Sequence, residues 1–417
     1  MMAVSAYNLP ITTLEEKMKK IVSIALSGLM ALSMAGCGGE SSTGSSSTTA
    51  ASGTESTDNA TVVVAVMCPL SGEYSRFGEQ YKAAIEAAMK YVNENDMLND
   101  YQLQFEYIDD KGTTDGAPTA ANLALDQYEC NVAVGHMLTT MVLADGQYFE
   151  DAETPLLGIV SGPASVAQGW EYISIETGTD ITQADTLVDY LVSNGSKNIS
   201  LINVNTEGGM SAAHEIENVL RDEYQLELAT HEQIDNNVTD FTSIALKMKD
   251  AGTDTVIFWG LSQANGQICY TAVKNYVGDV TFAGGTNLAQ NQMLTTWNAE
   301  DINGVVFPVG YIYEEDNEMK KTINSYYKEL DPDNNDLTDV PARVVDSIFH
   351  IVTALNDVGI QDPESDDFNK NLNNALRNAK FTGVQGDFDF SVNDNGVGLN
   401  KMNIGMWDSD FVQHKVG

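Results

Sequence analysis

Two neighbouring hydroxyl side chains offer the clearest chemistry in the sequence. Thr139 and Thr140 follow a predicted strand at 131–135 and lie at the start of a predicted helix at 139–152. The first N–H groups of a helix have no partner within the helix, and the helix dipole favours negative charge there. Hydroxyls beside such N–H groups can hold a carboxylate or another small anion. The alternative is that Thr139 only caps the helix.

Other residue types that support catalysis or metal binding lack the necessary spacing. The five histidines show no metal-ligand pattern, and we expect neither a metal nor a cofactor. No Ser/His/Asp or Cys/His set falls in matching loops, so a nucleophilic enzyme is disfavoured and no catalytic residue is assigned. No CxxC motif occurs, and buried free thiols are expected at Cys68, Cys130 and Cys269.

The elements that must position the two hydroxyls alternate between strand and helix. Apolar, β-branched runs predict strands, and apolar residues spaced three or four apart predict helices. The strands form two sets, at 61–67, 103–108, 131–135 and 156–160, and at 199–204, 227–233, 255–259 and 280–283. Two successive sets of this kind predict an α/β fold of two doubly wound parallel-sheet lobes.

The C-terminal part departs from this alternation. It contains a predicted strand at 305–309, helices at 318–330, 343–358 and 368–379, and hairpin strands at 386–390 and 402–407. The helices fit neither set of strands, which indicates that the chain returns to the first lobe. The hairpin, with Asn393 in its turn, is then expected in the second lobe.

The N-terminus has the features of an export signal. A basic start at 18–20 precedes an uncharged apolar run at 21–35, which is typical of a signal peptide. The run is shorter than the roughly 20 residues that span a bilayer, and a buried helix or a short membrane anchor is the alternative. We therefore predict a signal peptide at 1–36, in which 1–17 precede the true start.

A lipid anchor and a tether are predicted after the signal. Residues 32–37, LSMAGC, resemble a bacterial lipobox with Cys37 as the lipidated residue. More than one acyl chain on that cysteine would give stable anchoring. Gly, Ser, Thr and Ala dominate 37–60, a composition that behaves as a flexible coil. The folded part is expected to start at Thr61.

Charge disfavours two classes of partner. The 417 residues include 60 Asp and Glu against 21 Lys and Arg, a formal net charge of −39. Nucleic acids and anionic membrane surfaces are bound through clustered Lys and Arg, so neither is expected as a direct partner. An anionic ligand would have to be held by local hydroxyls and N–H groups against this field.

Five segments in register resemble the periplasmic binding protein type 1 family, in particular its branched-chain amino acid type. They are PLSGEYSRFG at 69–78, EYIDDKG at 106–112, VGHMLTT at 134–140, DFTS at 240–243 and GVQGDFDF at 383–390. The resemblance covers roughly residues 61–410. It implies two lobes that close on a small ligand and are joined by three hinge crossings.

The same resemblance sets the expected domain boundaries. The crossings would lie near 178–182, 307–311 and 383–387. The first lobe would comprise 61–180 and 309–385, and the second lobe 181–308 and 386–417.

The resemblance also implies ligand contacts from the first lobe. In the family, the residue at Thr139 grips a ligand carboxylate, and Ser161 contacts the ligand backbone, with Ser165 as the weaker candidate. Tyr74 and Phe77 lie where the family packs an aromatic ring over the ligand. For Phe77 the alternative is packing into the lobe core.

Asp180 is the candidate partner for a positive charge. It matches a position that accepts an ammonium group in some relatives, through a charge-assisted hydrogen bond. The alternative is that Asp180 caps the helix predicted at 182–194.

The second lobe departs from the family pattern. The usual Tyr after one strand is Leu261 here, and the usual acid after the next strand is Thr286. Glu207 could supply an acid nearby, although a solvated loop position is the alternative. A related carboxylate or amide is therefore expected as a ligand class in addition to an amino acid. Trp259, Thr286 and Asn287 would provide stacking and neutral hydrogen bonds.

The sequence therefore predicts a lipid-anchored, extracytoplasmic solute-binding protein without enzymatic activity. As a monomer, it would capture an amino acid or a related carboxylate or amide and deliver it to the permease subunits of an ABC importer. Two alternatives stay open. One is a ligand-sensing module of the same fold that acts on a membrane receptor, and the other is an exported α/β enzyme.

Overall fold

The structure is a computed structural model. It describes residues 60–416 except 73, 163–165, 167, 236, 261–262, 291–292, 315–316, 334, 393–394 and 400. The predicted signal peptide, Cys37 and the tether up to residue 59 lie outside the described residues, as do Ser165 and Leu261. Within the described part, no helix combines the length and the apolar character needed to cross a membrane.

The first sheet is fully parallel and has five strands in the order β2-β1-β3-β4-β5. The strands are β1 Ala60–Cys68, β2 Tyr101–Asp109, β3 Val132–Val134, β4 Leu156–Gly158 and β5 Ile173–Ile175. Val62, Val64 and Val66 of the interior strand β1 are fully buried. Continuous apolar runs are expected in strands that are covered on both faces.

The second sheet has seven strands in the order β14-β13-β10-β9-β8-β6-β7. The strands are β6 Ile199–Val204, β7 Thr230–Ile234, β8 Thr255–Trp259, β9 Thr281–Gly284, β10 Val306–Val309, β13 Asn403–Trp407 and β14 Gln413–Lys415. β6 to β10 pair in parallel, whereas β13 pairs antiparallel with both β10 and β14. The predicted pair of parallel sheets is confirmed.

Helices cover both faces of each sheet. They are α1 Ser75–Glu94, α2 Ala117–Asn122, α3 Thr139–Asp151, α4 Asp180–Ser193, α5 Glu207–Asp222, α6 Thr242–Asp250, α7 Gln263–Tyr276, α8 Met293–Thr296, α9 Ala299–Ile302, α10 Glu318–Leu330, α11 Asp339–Val358 and α12 Phe368–Leu376. We call the first sheet with α1–α3 and α10–α12 the first lobe, and the second sheet with α4–α9 the second lobe, because these groups share apolar cores.

The closing hairpin differs from its prediction. β12 Asp387–Asp389 pairs with β11 Lys380–Thr382, and not with β13. The ring of Phe390 stacks on His350 of α11 with centroids 4.0 Å apart, and Val397 forms a bridge to β5. The predicted pairing of 386–390 with 402–407 is therefore wrong, because aromatic packing holds β12 on the first lobe. We place the return to the second sheet after Val397.

One buried face of α11 binds the chain segments near the passages between the lobes. This polar stripe consists of Asp339, Arg343, Asp346 and His350. Asp339 accepts a hydrogen bond from the N–H of Gly310 at 2.9 Å, and Asp346 accepts one from Val384 at 2.6 Å. His350 lies 2.8 Å from a carboxylate oxygen of Glu176. A single helix thus fixes the residues from which the chain leaves β5, β10 and β11.

Candidate functional site

A cavity of about 360 Å³ lies where the strand ends of the two sheets face each other. Parallel α/β sheets bind ligands at the carboxyl ends of their strands, and this volume is within the range of small-molecule sites. The described residues that line it are Met137, Leu138, Thr139, Thr140, Val160, Ser161, Gly162, Asp180, Gln183, Val204, Thr206, Gly208, Gly209, Trp259, Gly260, Gly285, Thr286, Asn287 and Arg343. Both lobes therefore contribute to one site.

Thr139 and Thr140 lie at the first-lobe wall of the cavity, at the start of α3. Leu138 occupies the position before the helix, so Thr139 is not the cap that was the alternative reading. Oγ1 of Thr139 accepts a hydrogen bond from the N–H of Gly162 at 3.1 Å. A β-carbon at Gly162 would lie 2.3 Å from that oxygen, so only glycine allows this approach. The hydroxyl and the first N–H groups of α3 can together bind a small anion.

Ser161 and Asp180 join the two lobes at the edge of the cavity. Ser161 follows β4, and its Oγ donates a hydrogen bond to Oδ1 of Asp180 at 3.2 Å. The N–H of Asp180 donates in return to the Ser161 carbonyl at 2.8 Å. Thr179 is the residue that caps α4, so Asp180 does not serve as the cap and its carboxylate faces the cavity.

The carboxyl group of Asp180 has an unusual affinity for protons. Burial raises its pKa to about 7, against the opposing effects of the Ser161 hydrogen bond, the Arg343 charge and the Gln183 hydrogen bond. Its second oxygen, Oδ2, lies so close to Gly208 that a β-carbon there would approach it to 2.8 Å. A carboxylate in this setting can accept a ligand ammonium group, and its charge changes near neutral pH.

The second lobe supplies a largely neutral wall. Trp259 ends β8, while Thr286 and Asn287 lie in a short 3₁₀ turn after β9, and all three line the cavity. The buried Gln183 connects this wall to the charged edge: its Oε1 accepts from the Thr286 N–H at 3.4 Å, and its Nε2 donates to Asp180 at 3.2 Å. The structure therefore brings the predicted second-lobe residues together.

Three predicted site residues are not placed at the cavity by the structure. Tyr74 and Phe77 do not line it, and their ring centroids lie 6.4 Å apart at the start of α1. Tyr74 packs so closely on Gly112 that a β-carbon there would approach its ring to 2.8 Å, which holds it against the loop after β2. Glu207 begins α5, and its side chain is outside the described part of the structure.

Arg343 is a cavity residue that the sequence did not reveal. It reaches the cavity from the polar stripe of α11, is 5% exposed, and forms an ion pair with Asp339 one turn earlier. Its Nη1 also donates to the Ile159 carbonyl at 3.4 Å. No local pattern separates this residue from an ordinary surface arginine at the start of the predicted helix 343–358.

His136 positions the loop that carries the cavity threonines. It is fully buried, and its two ring nitrogens lie 2.7 Å from Asp110 and 2.7 Å from Asp145. Burial by itself lowers the pKa of His136, but the two carboxylates outweigh burial and raise it to about 9. A charged His136 therefore joins the end of β2 to α3 and fixes the path of the chain toward Thr139.

Cys68, Cys130 and Cys269 are buried free thiols, as predicted. Burial raises the pKa of Cys130 to about 12. These side chains are therefore inert packing groups at neutral pH.

Solved structures with this fold include binding proteins for chemically different ligands. A branched-chain amino acid transporter substrate-binding protein, LivJ from Streptococcus pneumoniae, in complex with isoleucine, superposes with a TM-score of 0.70 at 17% identity, over 85% of this chain and 99% of that one. A solute-binding protein from R. palustris in complex with 4-hydroxybenzoate gives a TM-score of 0.69 at 15% identity, over 85% and 96%. At these identities the likeness establishes the two-lobed fold.

Sequence comparison places the chain among binding proteins. It is 22% identical over 306 residues to a leucine-, isoleucine-, valine-, threonine- and alanine-binding protein of Pseudomonas aeruginosa, covering 73% of this chain and 80% of that protein. It is 24% identical over 209 residues to Leu/Ile/Val-binding protein homolog 3 of Brucella melitensis, and this match spans only 56% of that relative and 50% of this chain. A sequence model of the periplasmic binding protein family matches residues 61–411. The chain therefore belongs to the periplasmic binding protein family, as its motifs predicted.

Proposed function

We propose that the chain is an extracytoplasmic, lipid-anchored solute-binding protein. As a monomer, it captures a small polar ligand, an amino acid or a related carboxylate or amide, by closure of the two lobes. It then delivers the ligand to the permease subunits of an ABC importer. The relatives named for amino acid binding and the neighbour that holds an aromatic carboxylate support these ligand classes.

One observation carries this proposal. The cavity joins the start of α3 at Thr139 in the first lobe to Asp180 and a neutral polar wall in the second lobe. Such an arrangement recognises a carboxylate and an ammonium group while the lobes enclose the ligand. No bond-breaking chemistry is needed for this role.

Calorimetry against a ligand panel tests the proposal. The panel contains L-leucine, L-leucinamide, 4-methylpentanoate and benzoate, and X-ray scattering follows the radius of gyration. We expect at least one compound to bind and to make the protein more compact. A protein that binds none of the four, with an unchanged radius of gyration, would contradict the proposed ligand classes.

The membrane anchor is tested separately. Mass spectrometry of the mature protein should find a chain that starts at an acylated Cys37. An unmodified Cys37, or a mature chain that still starts at Met1, would refute lipid anchoring without affecting the ligand site.

Thr139→Val should weaken a carboxylate ligand. Valine keeps the shape of threonine but cannot hydrogen bond, and the expected loss is about 1.5–3 kcal/mol, as for a hydrogen bond to a charged group. Thr271→Val is the matched control, because that exposed hydroxyl donates to the Gln267 carbonyl of its own helix, away from the cavity. By calorimetry, only Thr139→Val should bind the ligand more weakly than wild type does. An affinity equal to that of wild type would remove Thr139 from the site.

Ligand addition should change the tryptophan fluorescence through Trp259. The chain has four tryptophans, and Trp259 lies on the cavity wall. Trp259→Phe should abolish most of the ligand-induced change, while Trp170→Phe, on the first lobe and bonded to Gln147, should retain it. The reverse pattern would place the ligand elsewhere.

A further inference from the structure

We propose that Arg343 is a second residue, besides Thr139, that selects ligands carrying a carboxylate, and that with Asp180 it makes the cavity specific for the zwitterionic head group of an α-amino acid. This inference rests on the proposed function and narrows its ligand class. It starts from charge: among the described residues that line the cavity, only Asp180 and Arg343 are charged, and their charges are opposite.

The hydrogen bonds of Arg343 leave part of its donor capacity open. A guanidinium group has five N–H donors in a rigid plane. Nη2 bonds to Asp339 and Nη1 to the Ile159 carbonyl, but Nε has no partner among the described residues although it is buried. A buried, unpaired donor beside a cavity is costly unless a ligand acceptor completes it. The geometry of a guanidinium group matches a planar carboxylate, as it also matches a phosphate, and the carboxylate is the group found in the proposed ligand classes.

The surroundings hold Arg343 in place for such a contact. Oδ1 of its partner Asp339 accepts hydrogen bonds from the N–H groups of Gly310 at 2.9 Å and Tyr311 at 3.2 Å. These bonds fix the Asp339 carboxylate in place. The guanidinium is therefore oriented by Asp339 on one side and by the Ile159 carbonyl on the other. Preorganised donors of this kind lose little entropy on binding.

The position of Arg343 relative to Asp180 fits an α-amino acid. Both groups adjoin the loop after β4, since Arg343 bonds Ile159 and Asp180 bonds Ser161. The carboxylate and ammonium of an α-amino acid share one carbon, so their protein partners must lie close together. The whole chain has a formal net charge of −39, and Arg343 supplies the local positive charge that an anionic group needs against this field.

A cycle of two ligands and two proteins tests the inference. L-leucine and L-leucinamide differ only in the carboxylate, so the ratio of their dissociation constants measures carboxylate selectivity. In Arg343→Met this ratio should fall by about 10- to 100-fold relative to wild type, because one charge-assisted contact is lost. A purely structural role of Arg343 would weaken both ligands equally and leave the ratio unchanged, which would overturn the inference.

Two further variants guard against unfolding and nonspecific charge effects. Arg343→Lys keeps the positive charge but loses Nε and the planar fork, so its ratio of dissociation constants should fall several-fold. This variant tests the inference if Arg343→Met does not fold. Arg76→Met, on the same lobe and paired with Asp331 and Asp333 outside the cavity, should keep the wild-type ratio.

Wild-type protein that binds no member of the panel would overturn the proposed ligand classes and this inference together. Binding of L-leucine with an unchanged ratio in both Arg343 variants would overturn only the role of Arg343.

Discussion

Asp180→Asn should weaken an ammonium-bearing ligand by about 2–5 kcal/mol, the range for removing one partner of a buried charge pair. The carboxylate lies between Ser161 and Gln183 and faces the cavity. In the variant, a bound ammonium group would therefore lose its charged partner without regaining its water shell. Calorimetry with L-leucine measures the loss. Asp250→Asn, an exposed acid at the end of α6, is the matched control and should bind as wild type does.

The same residue should make binding depend on pH in a predictable direction. Because the pKa of Asp180 is about 7 in the free protein, the group is mostly neutral below that pH and mostly charged above it. Affinity for L-leucine should therefore fall by up to tenfold per pH unit as the pH decreases from about 7 to about 5.5. The only other charged group lining the described cavity, Arg343, stays charged throughout, and so does His136 in the loop below, whose pKa is about 9.

Ligands without an ammonium group should show the opposite trend. Protonation of Asp180 removes a negative charge near the ligand, so affinity for 4-methylpentanoate should rise over the same pH decrease. In Asp180→Asn both pH trends should disappear. An L-leucine affinity that stays constant across this pH range in wild type would show that Asp180 does not meet the ammonium group.

The stability of the ligand-free protein should also depend on pH through Asp180. The folded pKa of Asp180 lies above its ordinary value of 3.8, so ionisation of this group in the folded state costs stability. Wild type without ligand should therefore lose stability as the pH rises from about 4 to about 7, and Asp180→Asn should lack this part of the loss. A higher melting temperature of the variant at pH 8, together with weaker binding, would identify Asp180 as a binding residue that is costly to the empty fold.

Sequence reasoning placed the candidate site at strand ends, and the family resemblance supplied most of its residues. Thr139 and Ser161 follow β3 and β4 of the first sheet, while Trp259 ends β8 and Thr286 follows β9 of the second sheet. In each sheet, parallel pairing brings such positions to one edge. Asp180 came from family resemblance, and its placement in the cavity was not derivable from helix periodicity alone. The alternation of strands and helices was therefore sufficient for the fold, whereas Ser161, Trp259 and Thr286, like Asp180, were proposed from the family resemblance.

The parts that were missed depend on contacts between distant segments. Arg343 reaches the cavity because α11 crosses behind the loop at Ile159, which is 184 positions away in the sequence. The hairpin error has a similar origin, since Phe390 belongs to the first lobe through its stacking on His350. Local spacing contains no information on such pairings, whereas it does define strands, helices and turns.

Asp346→Ala should lower the free energy of unfolding by about 3–5 kcal/mol, more than any surface substitution. Asp346 is fully buried in the polar stripe of α11 and accepts hydrogen bonds from the N–H of Val384 at 2.6 Å, the N–H of Gln385 at 3.0 Å and the Gln385 side chain at 3.0 Å. Alanine would leave these donors buried without an acceptor, and each costs about 1–3 kcal/mol. Urea denaturation of the free protein measures the difference.

The position of these donors explains why the effect should exceed that of a single hydrogen bond. Gln385 also donates from its side chain to the Glu176 carbonyl at 2.8 Å, so the turn before β12 joins α11 to the segment that leads into α4. Asp346→Asn keeps the volume and one acceptor oxygen and should lose only part of this stability. Asp357→Ala, exposed near the end of the same helix, should change it by less than about 0.5 kcal/mol. If Asp346→Ala matched that control, the polar stripe would not be what holds these segments, and their order would have to come from the aromatic packing around His350 instead.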